Sequence, residues 1–161
     1  MLKEQYSFEF EVYHSIHDLA TADADLLQQA QVIAETAYAP YSNFFVGAAA
    51  KLLDGSIVKG TNQENASYPV GLCAERSLLS SAATLFPNIA VETMAISYHN
   101  HNGSSNKPIS PCGMCRQYLL EYENRTNTPM RLIMGGLEGK IYVVQSAAQL
   151  LPFSFTSEHL K

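Results

Sequence analysis

Phe44-Phe45-Val46-Gly47-Ala48-Ala49-Ala50-Lys51-Leu52-Leu53-Asp54-Gly55-Ser56-Ile57-Val58-Lys59-Gly60 is the stretch that decides the fold. Residues 44–53 are apolar almost throughout and run straight into Asp54-Gly55, a strong signal for a tight hairpin turn. Residues 56–60 read as the returning strand. Upstream, Leu19, Ala22, Leu26, Ala30, Ile33 and Ala37 recur at three- and four-residue steps. That stripe predicts a helix over 18–39, stopped by Pro40, because the residue before a proline avoids the helical region. At the start of the chain Tyr6, Phe8, Phe10 and Val12 alternate with Ser7, Glu9, Glu11 and Tyr13, which predicts a half-buried strand over 5–14.

Downstream, a polar loop over 61–71 leads into a buried helix over 73–86, ended by Pro87. A strand over 91–98 and a loop over 99–110 follow. A short helix over 112–123, strands over 130–134 and 140–144, and a short helix over 146–151 complete the order. Helices interleaved with apolar strands imply an α/β fold: one mixed sheet covered on both faces. No repeat and no linker divides the 161 residues, a length suited to one domain.

Charge and composition exclude several classes. Ten Lys+Arg against 15 Asp+Glu give a net charge of −5, so a general phosphate-backbone binder is not expected. No apolar run is long enough to span a membrane. Met1 to Tyr6 lacks the basic-then-apolar pattern of a signal peptide, so a cytoplasmic location is expected. Three cysteines, an odd number, do not make a disulfide scaffold.

All three cysteines fall in two short motifs, Cys73-Ala74-Glu75 and Pro111-Cys112-Gly113-Met114-Cys115, with 38 residues between Cys73 and Cys112. Both motifs start predicted helices, where unpaired N–H groups and the helix dipole favour thiolates. A structural zinc site takes four protein ligands, whereas a catalytic one takes three and keeps a position for water. Three thiolates thus point to an open site, with hydroxide available near neutral pH. Arg76 and Arg116 follow the motifs directly and are placed to offset thiolate charge. Glu75, two residues from a ligand, is placed as a general acid/base. A lone CxxC would instead suit a redox pair, half of a structural zinc site or buried thiols. The combination with Cys-x-Glu matches the three-cysteine form of the zinc nucleobase deaminase signature.

From about residue 20 to its end the sequence resembles the small, homotetrameric cytidine deaminases. The resemblance rests on Ala37-Tyr38-Ala39-Pro40-Tyr41-Ser42-Asn43-Phe44, on Gly60-Thr61-Asn62-Gln63-Glu64-Asn65-Ala66-Ser67-Tyr68-Pro69, on both cysteine segments, and on Leu150-Leu151-Pro152 with Phe155. It implies a three-layer α/β/α fold around a mixed five-stranded sheet. Residues 1–17 are then an N-terminal extension, adding one strand to a single domain over 1–161. The resemblance further implies one zinc ion per subunit on Cys73, Cys112 and Cys115, and Glu75 as proton shuttle. It places Asn62 and Glu64 on the ribose 3′-hydroxyl, Phe44 against the base, and the Ala74 N–H on the pyrimidine carbonyl. Arg76 hydrogen-bonds the thiolates, and Phe155 reaches a neighbouring subunit's pocket. The implied reaction is hydrolytic deamination of cytidine and 2′-deoxycytidine to the uridines with release of ammonia, a step of pyrimidine salvage. The expected partners are a pyrimidine nucleoside and copies of the chain, with neither nucleic acid nor a membrane.

Some residues depart from the family pattern. Met114 replaces the usual alanine, and the Pro111-to-Arg116 form also occurs in blasticidin-type deaminases, which makes such an aminopyrimidine deaminase the alternative. Phe45 and Phe153 add bulk near two segments expected at the pocket. His99 and His101, surrounded by Asn, Gly and Ser, read as part of a solvated loop rather than as metal ligands. A zinc-stabilised or redox-responsive binding module is the non-catalytic possibility, opposed by the acid/base candidate beside an open metal position.

Overall fold

A computed structural model describes residues 1–161. The hairpin forms as its sequence dictates: β2 (Phe44–Leu52) and β3 (Ile57–Thr61) pair antiparallel, with Lys51 opposite Ile57 next to the turn. Gly55 takes φ +88° and donates its N–H to the Leu52 carbonyl at 3.0 Å. A side chain is strained at such a φ, so the residue that Asp-Gly supplies is the one the turn requires. The other edge of β2 pairs antiparallel with β4 (Val91–Asn100), and β4 pairs parallel with β5 (Arg131–Met134). Antiparallel β6 (Ile141–Val144) and β1 (Glu11–Tyr13) follow, giving the order β1-β6-β5-β4-β2-β3.

Helix α1 (Thr21–Ala34) covers one face of the sheet; α2 (Ala74–Leu85) and α3 (Gly113–Thr126) cover the other. Within the strands the side chains divide by period two. Ala48, Ala50, Leu52, Met94 and Ile96 join Leu78 and Leu79 of α2 and Leu119 of α3. Ala49, Ala95 and Ile133 join Leu26, Leu27 and Ala30 of α1. Both sets are buried, which is why β2 reads as a continuous apolar run rather than an alternating one.

Two glycines set how closely the helices approach. A Cβ on Gly47 would lie 2.1 Å from the Ala30 carbonyl oxygen of α1. A Cβ on Gly60 would lie 2.5 Å from the Leu78 nitrogen of α2. The second contact seats the helix that carries Glu75 directly on the hairpin.

Some elements differ from the sequence reading. Only Glu11–Tyr13 of the expected 5–14 strand pairs, and Tyr6 and Phe8 lie exposed ahead of it. The segment packs through its aromatic rings instead: Phe10 meets Tyr142 at 5.1 Å, and Phe8 and Phe10 line a groove with Ile109, Met134 and Leu150. The extra strand extends the five-stranded sheet to six. Helix α1 stops at Ala34, because Tyr38 turns away to exchange backbone bonds with Asn62 (3.1 Å) and Glu64 (2.8 Å). His99 belongs to β4 rather than to a loop, paired opposite Phe45. Helix α3 runs on to Thr126, and the 146–151 helix is a short 3₁₀ segment, Ala147–Leu150.

Candidate active site

Cys73 and Cys112 are the N-cap residues of α2 and α3, both in extended backbone conformation. The helix starts therefore converge, and their free N–H groups and positive dipole ends face the same small volume. The sulfurs of Cys73 and Cys112 are 3.7 Å apart, those of Cys112 and Cys115 3.4 Å, and all three lie within 4.8 Å of one another. All three cysteines are free thiols. Zn–S bonds of about 2.3 Å at tetrahedral angles place sulfurs roughly 3.8 Å apart. The trio fits a zinc ion in both spacing and donor type.

The electrostatics agree. The Cys115 thiol hydrogen-bonds Cys73, and with the Cys112 thiol and the Arg76 guanidinium it lowers the Cys73 pKa to about 5, against the opposing effect of burial. Cys115 keeps its own proton: donating it to the Cys73 thiolate, together with burial, pushes the Cys115 thiol up. Arg76 donates through Nη2 to the Gly71 carbonyl at 2.9 Å, while its buried Nε has no partner. That orphaned donor suits a site that gathers negative charge. Arg116 behaves differently. Its three nitrogens bond the Pro111 carbonyl (2.9 Å), the Leu150 carbonyl (3.0 Å) and the Ser110 hydroxyl (3.0 Å), so it pins the α3 entry rather than offsetting thiolate charge.

Glu75 lies in the first turn of α2 and is 5% exposed. Burial pushes its carboxyl above the usual range, and the Cys73 thiolate adds to the effect. A carboxyl raised in this way holds and releases a proton nearer neutrality, as a shuttle requires.

A cavity of about 440 Å³ opens beside Cys73, and Asn62, Glu64, Tyr41, Tyr68 and Met114 are among its other lining residues. That is ample for a nucleoside-sized ligand. The Asn62 amide is fixed by the backbone of β2: Oδ1 accepts the Val46 N–H (2.7 Å) and Nδ2 donates to the Phe44 carbonyl (2.9 Å). Nδ2 keeps one hydrogen for a ligand. Glu64 accepts the Tyr41 N–H (2.8 Å) and Ser42 N–H (3.3 Å) on one oxygen. Burial works to raise the Glu64 pKa, but the hydrogen bonds from Ser42 and Tyr41 outweigh it and hold the carboxyl low. Ala74, buried, is the first residue of α2, where an N–H has no partner within the helix.

The structure does not bring every expected residue to this cavity. Phe44 is absent from its lining, and its ring stacks on Tyr98 at 4.8 Å; Ala74, Glu75, Cys112 and Cys115 lie behind Cys73, outside the lining. Phe155 lines a neighbouring cavity that shares Arg76 and Met114 with the first. Neither Phe45 nor Phe153 lines either cavity: Phe45 stacks on His101, and Phe153 is fully exposed. Tyr41 and Tyr68, which meet at 6.0 Å on the cavity wall, are the residues that sequence reasoning passed over. Both lie within the quoted family-like segments, yet an aromatic in a loop has no periodicity to mark it.

Residues 20–128 match the family model for the cytidine and deoxycytidylate deaminase zinc-binding region. The chain is 36% identical over 135 residues to the cytidine deaminase of Halalkalibacterium halodurans, spanning 84% of this chain and 95% of that protein. It is 35% identical to the cytidine deaminase of Sporosarcina psychrophila over 139 residues, 84% of this chain and 92% of that one. Among solved structures, the cytidine deaminase of Burkholderia pseudomallei superposes with a TM-score of 0.71 at 37% identity, covering 85% of this chain and 100% of that chain. The matched span contains both helix starts, all three sulfurs and the loop of Asn62 and Glu64, and leaves β1 outside it. Fold, sulfur trio and sequence agree: the chain belongs to the cytidine deaminase family.

Proposed function

We propose that this chain hydrolyses cytidine and 2′-deoxycytidine to uridine and 2′-deoxyuridine with release of ammonia, as a single domain over 1–161 acting in pyrimidine salvage in the cytoplasm. The observation that carries the reading is the buried carboxyl of Glu75, in the first turn of α2 beside three clustered sulfurs, of which Cys73 lines a nucleoside-sized cavity. Cys73, Cys112 and Cys115 would hold one zinc ion per chain, which when bound supplies a Lewis acid that makes water a nucleophile near neutral pH. Glu75 accepts a proton from the attacking water on its carboxylate oxygen and delivers it to ring N3. It then carries a proton to the departing amino nitrogen, so that water and nucleoside leave as ammonia and the oxo product. The Ala74 N–H orients the ring through its carbonyl oxygen. Asn62 Nδ2 and the free oxygen of Glu64 hold the ribose 3′-hydroxyl. Arg76, with its spare Nε, balances the thiolate charge.

A homotetramer with shared pockets belongs to the same reading. Tyr68, Val70 and Phe155 expose large apolar surface around the cavity, where a neighbouring chain would cover it. Met114, 65% exposed on the cavity wall, favours the alternative of a blasticidin-type or other aminopyrimidine deaminase. An ammonia-release assay over cytidine, deoxycytidine and blasticidin S, with and without a zinc chelator, separates the two. Chelator-sensitive turnover of the nucleosides supports the proposal. Turnover of blasticidin S alone overturns it in favour of the alternative. Bound zinc without ammonia from any substrate favours a binding module.

A further inference from the structure

On the opposite face of the sheet from the cysteines, three other metal-binding side chains come together. Glu35 is the C-terminal cap of α1, and His99 stands at the end of β4 with His101 two residues on. Their ligand atoms lie within 4.8 Å of one another. His99 Nδ1 is 2.6 Å from Glu35 Oε1, and the two imidazoles meet edge to face at 4.3 Å. The cluster is held from several sides. His99 is fixed by strand pairing opposite Phe45. The His101 N–H bonds the Asn43 carbonyl at 3.0 Å, and the His101 ring stacks on Phe45 at 4.4 Å. Two imidazoles are thus oriented before any ion arrives.

The surroundings favour a cation. Helix α1 ends here with no basic residue in its last turn, so the negative end of its dipole is uncompensated within the helix. Side-chain exposures of 34% for His99 and 56% for Glu35 leave the cluster open to water. An exposed ion pair alone stabilises little, which gives the pairing of one carboxylate with two edge-to-face histidines no strong structural purpose.

From this juxtaposition we infer a second metal site, in which Glu35, His99 and His101 bind a divalent transition ion of the zinc, nickel or copper group. Two imidazoles and a carboxylate are borderline donors that suit this group over magnesium or calcium. Metal–ligand bonds of about 2.1 Å at tetrahedral angles set donors roughly 3.4 Å apart, so the present 2.6 Å His99–Glu35 contact has only to open by less than an ångström. Three protein ligands leave further positions for water or an exogenous anion. An ion there would tie the end of α1 to β4 without touching the cysteine site.

The test uses the folded protein with its cysteine site loaded with zinc, titrated with nickel chloride in a non-coordinating buffer by calorimetry. One ion per chain, bound with micromolar affinity and without release of zinc, is the expected result. Glu35→Gln and His101→Asn, both at exposed positions, should each weaken binding by about tenfold or more. His99→Asn with His101→Asn should abolish it with an unchanged circular dichroism spectrum. No binding up to millimolar nickel overturns the inference. So does one equivalent of zinc released on titration, or unchanged affinity in the Glu35→Gln and His101→Asn variants, since the ion then sits elsewhere.

Discussion

The sulfurs of Cys73 and Cys112 sit 3.7 Å apart although each residue caps a different helix. Two helix starts rarely meet so closely, because their dipoles repel. Negative charge placed between them relieves that repulsion, so the thiolates and the packing of α2 on α3 support each other. Cys112→Ala should therefore abolish zinc binding, measured by metal analysis of the purified protein. Glu75→Gln should keep one zinc per chain and lower kcat by about 10²- to 10⁴-fold. Undiminished turnover in Glu75→Gln would remove Glu75 from the proton path.

Gly60→Ala places a methyl group where the Leu78 nitrogen and the Ala74 carbonyl oxygen would be 2.5 and 2.7 Å away. Backbone at both contacts leaves α2 no choice but to move. The variant should lose about 1–3 kcal/mol of stability and bind zinc more weakly, since Cys73 moves with the helix. Urea unfolding and a zinc competition assay measure the two effects, and a wild-type midpoint would show that the helix rests less tightly than its contacts imply.

Glu64→Gln retains shape and loses charge. KM for cytidine should rise by roughly tenfold or more, because the ribose hydroxyl loses its charged acceptor. The carboxyl is held below its ordinary value in the folded chain, so its contribution to stability is present above that ordinary value and lost as pH falls through the depressed one. The melting-temperature advantage of wild type over Glu64→Gln should be small, because the group is largely solvated, and should shrink below pH 4.5. An advantage that grew with acidity would contradict this account.

Glu123 is buried on α3 and accepts the N–H groups of Met130, Ala147 and Ala148 together with the Ser146 hydroxyl. Glu123→Ala strands these buried donors and should lower stability by about 3–5 kcal/mol, read from chemical denaturation. A loss under about 1 kcal/mol would mean that water replaces the carboxylate freely.

Mixing subunits tests the shared pocket. Glu75→Gln and Phe155→Ala chains, each impaired alone, should regain part of the wild-type rate after co-refolding, because some hybrid pockets combine an intact Glu75 with an intact Phe155 from the next chain. If activity after mixing is merely the average of the two variants, Phe155 serves its own subunit.

The hairpin, both cysteine-bearing helices and the sulfur trio were legible because each rests on local chemistry: Asp54-Gly55, apolar runs, and thiols at helix starts. What escaped depends on contacts distant in sequence. The end of α1 is set by Tyr38 bonding to Asn62 and Glu64, which no stripe of apolar residues encodes. Arg116 and Arg76 occupy matching places after their motifs, yet only Arg76 turns towards sulfur. His99 sits among residues typical of loops, but β2 extends far enough to recruit it as a strand residue. Phe44 is apolar and adjacent to the pocket segments, and only the packing reveals Tyr98 as its partner.

The three paired residues of β1 occupy the outer rim of β6. A bare rim of backbone donors and acceptors is a template on which another molecule can grow a sheet. The amino-terminal segment therefore works as a selvedge: it covers the rim of β6 with a border only three residues long, opposite the longer border of β3. Trimming the chain before Ser15 would bare Ile141, Tyr142 and Val143 of β6 as the new border.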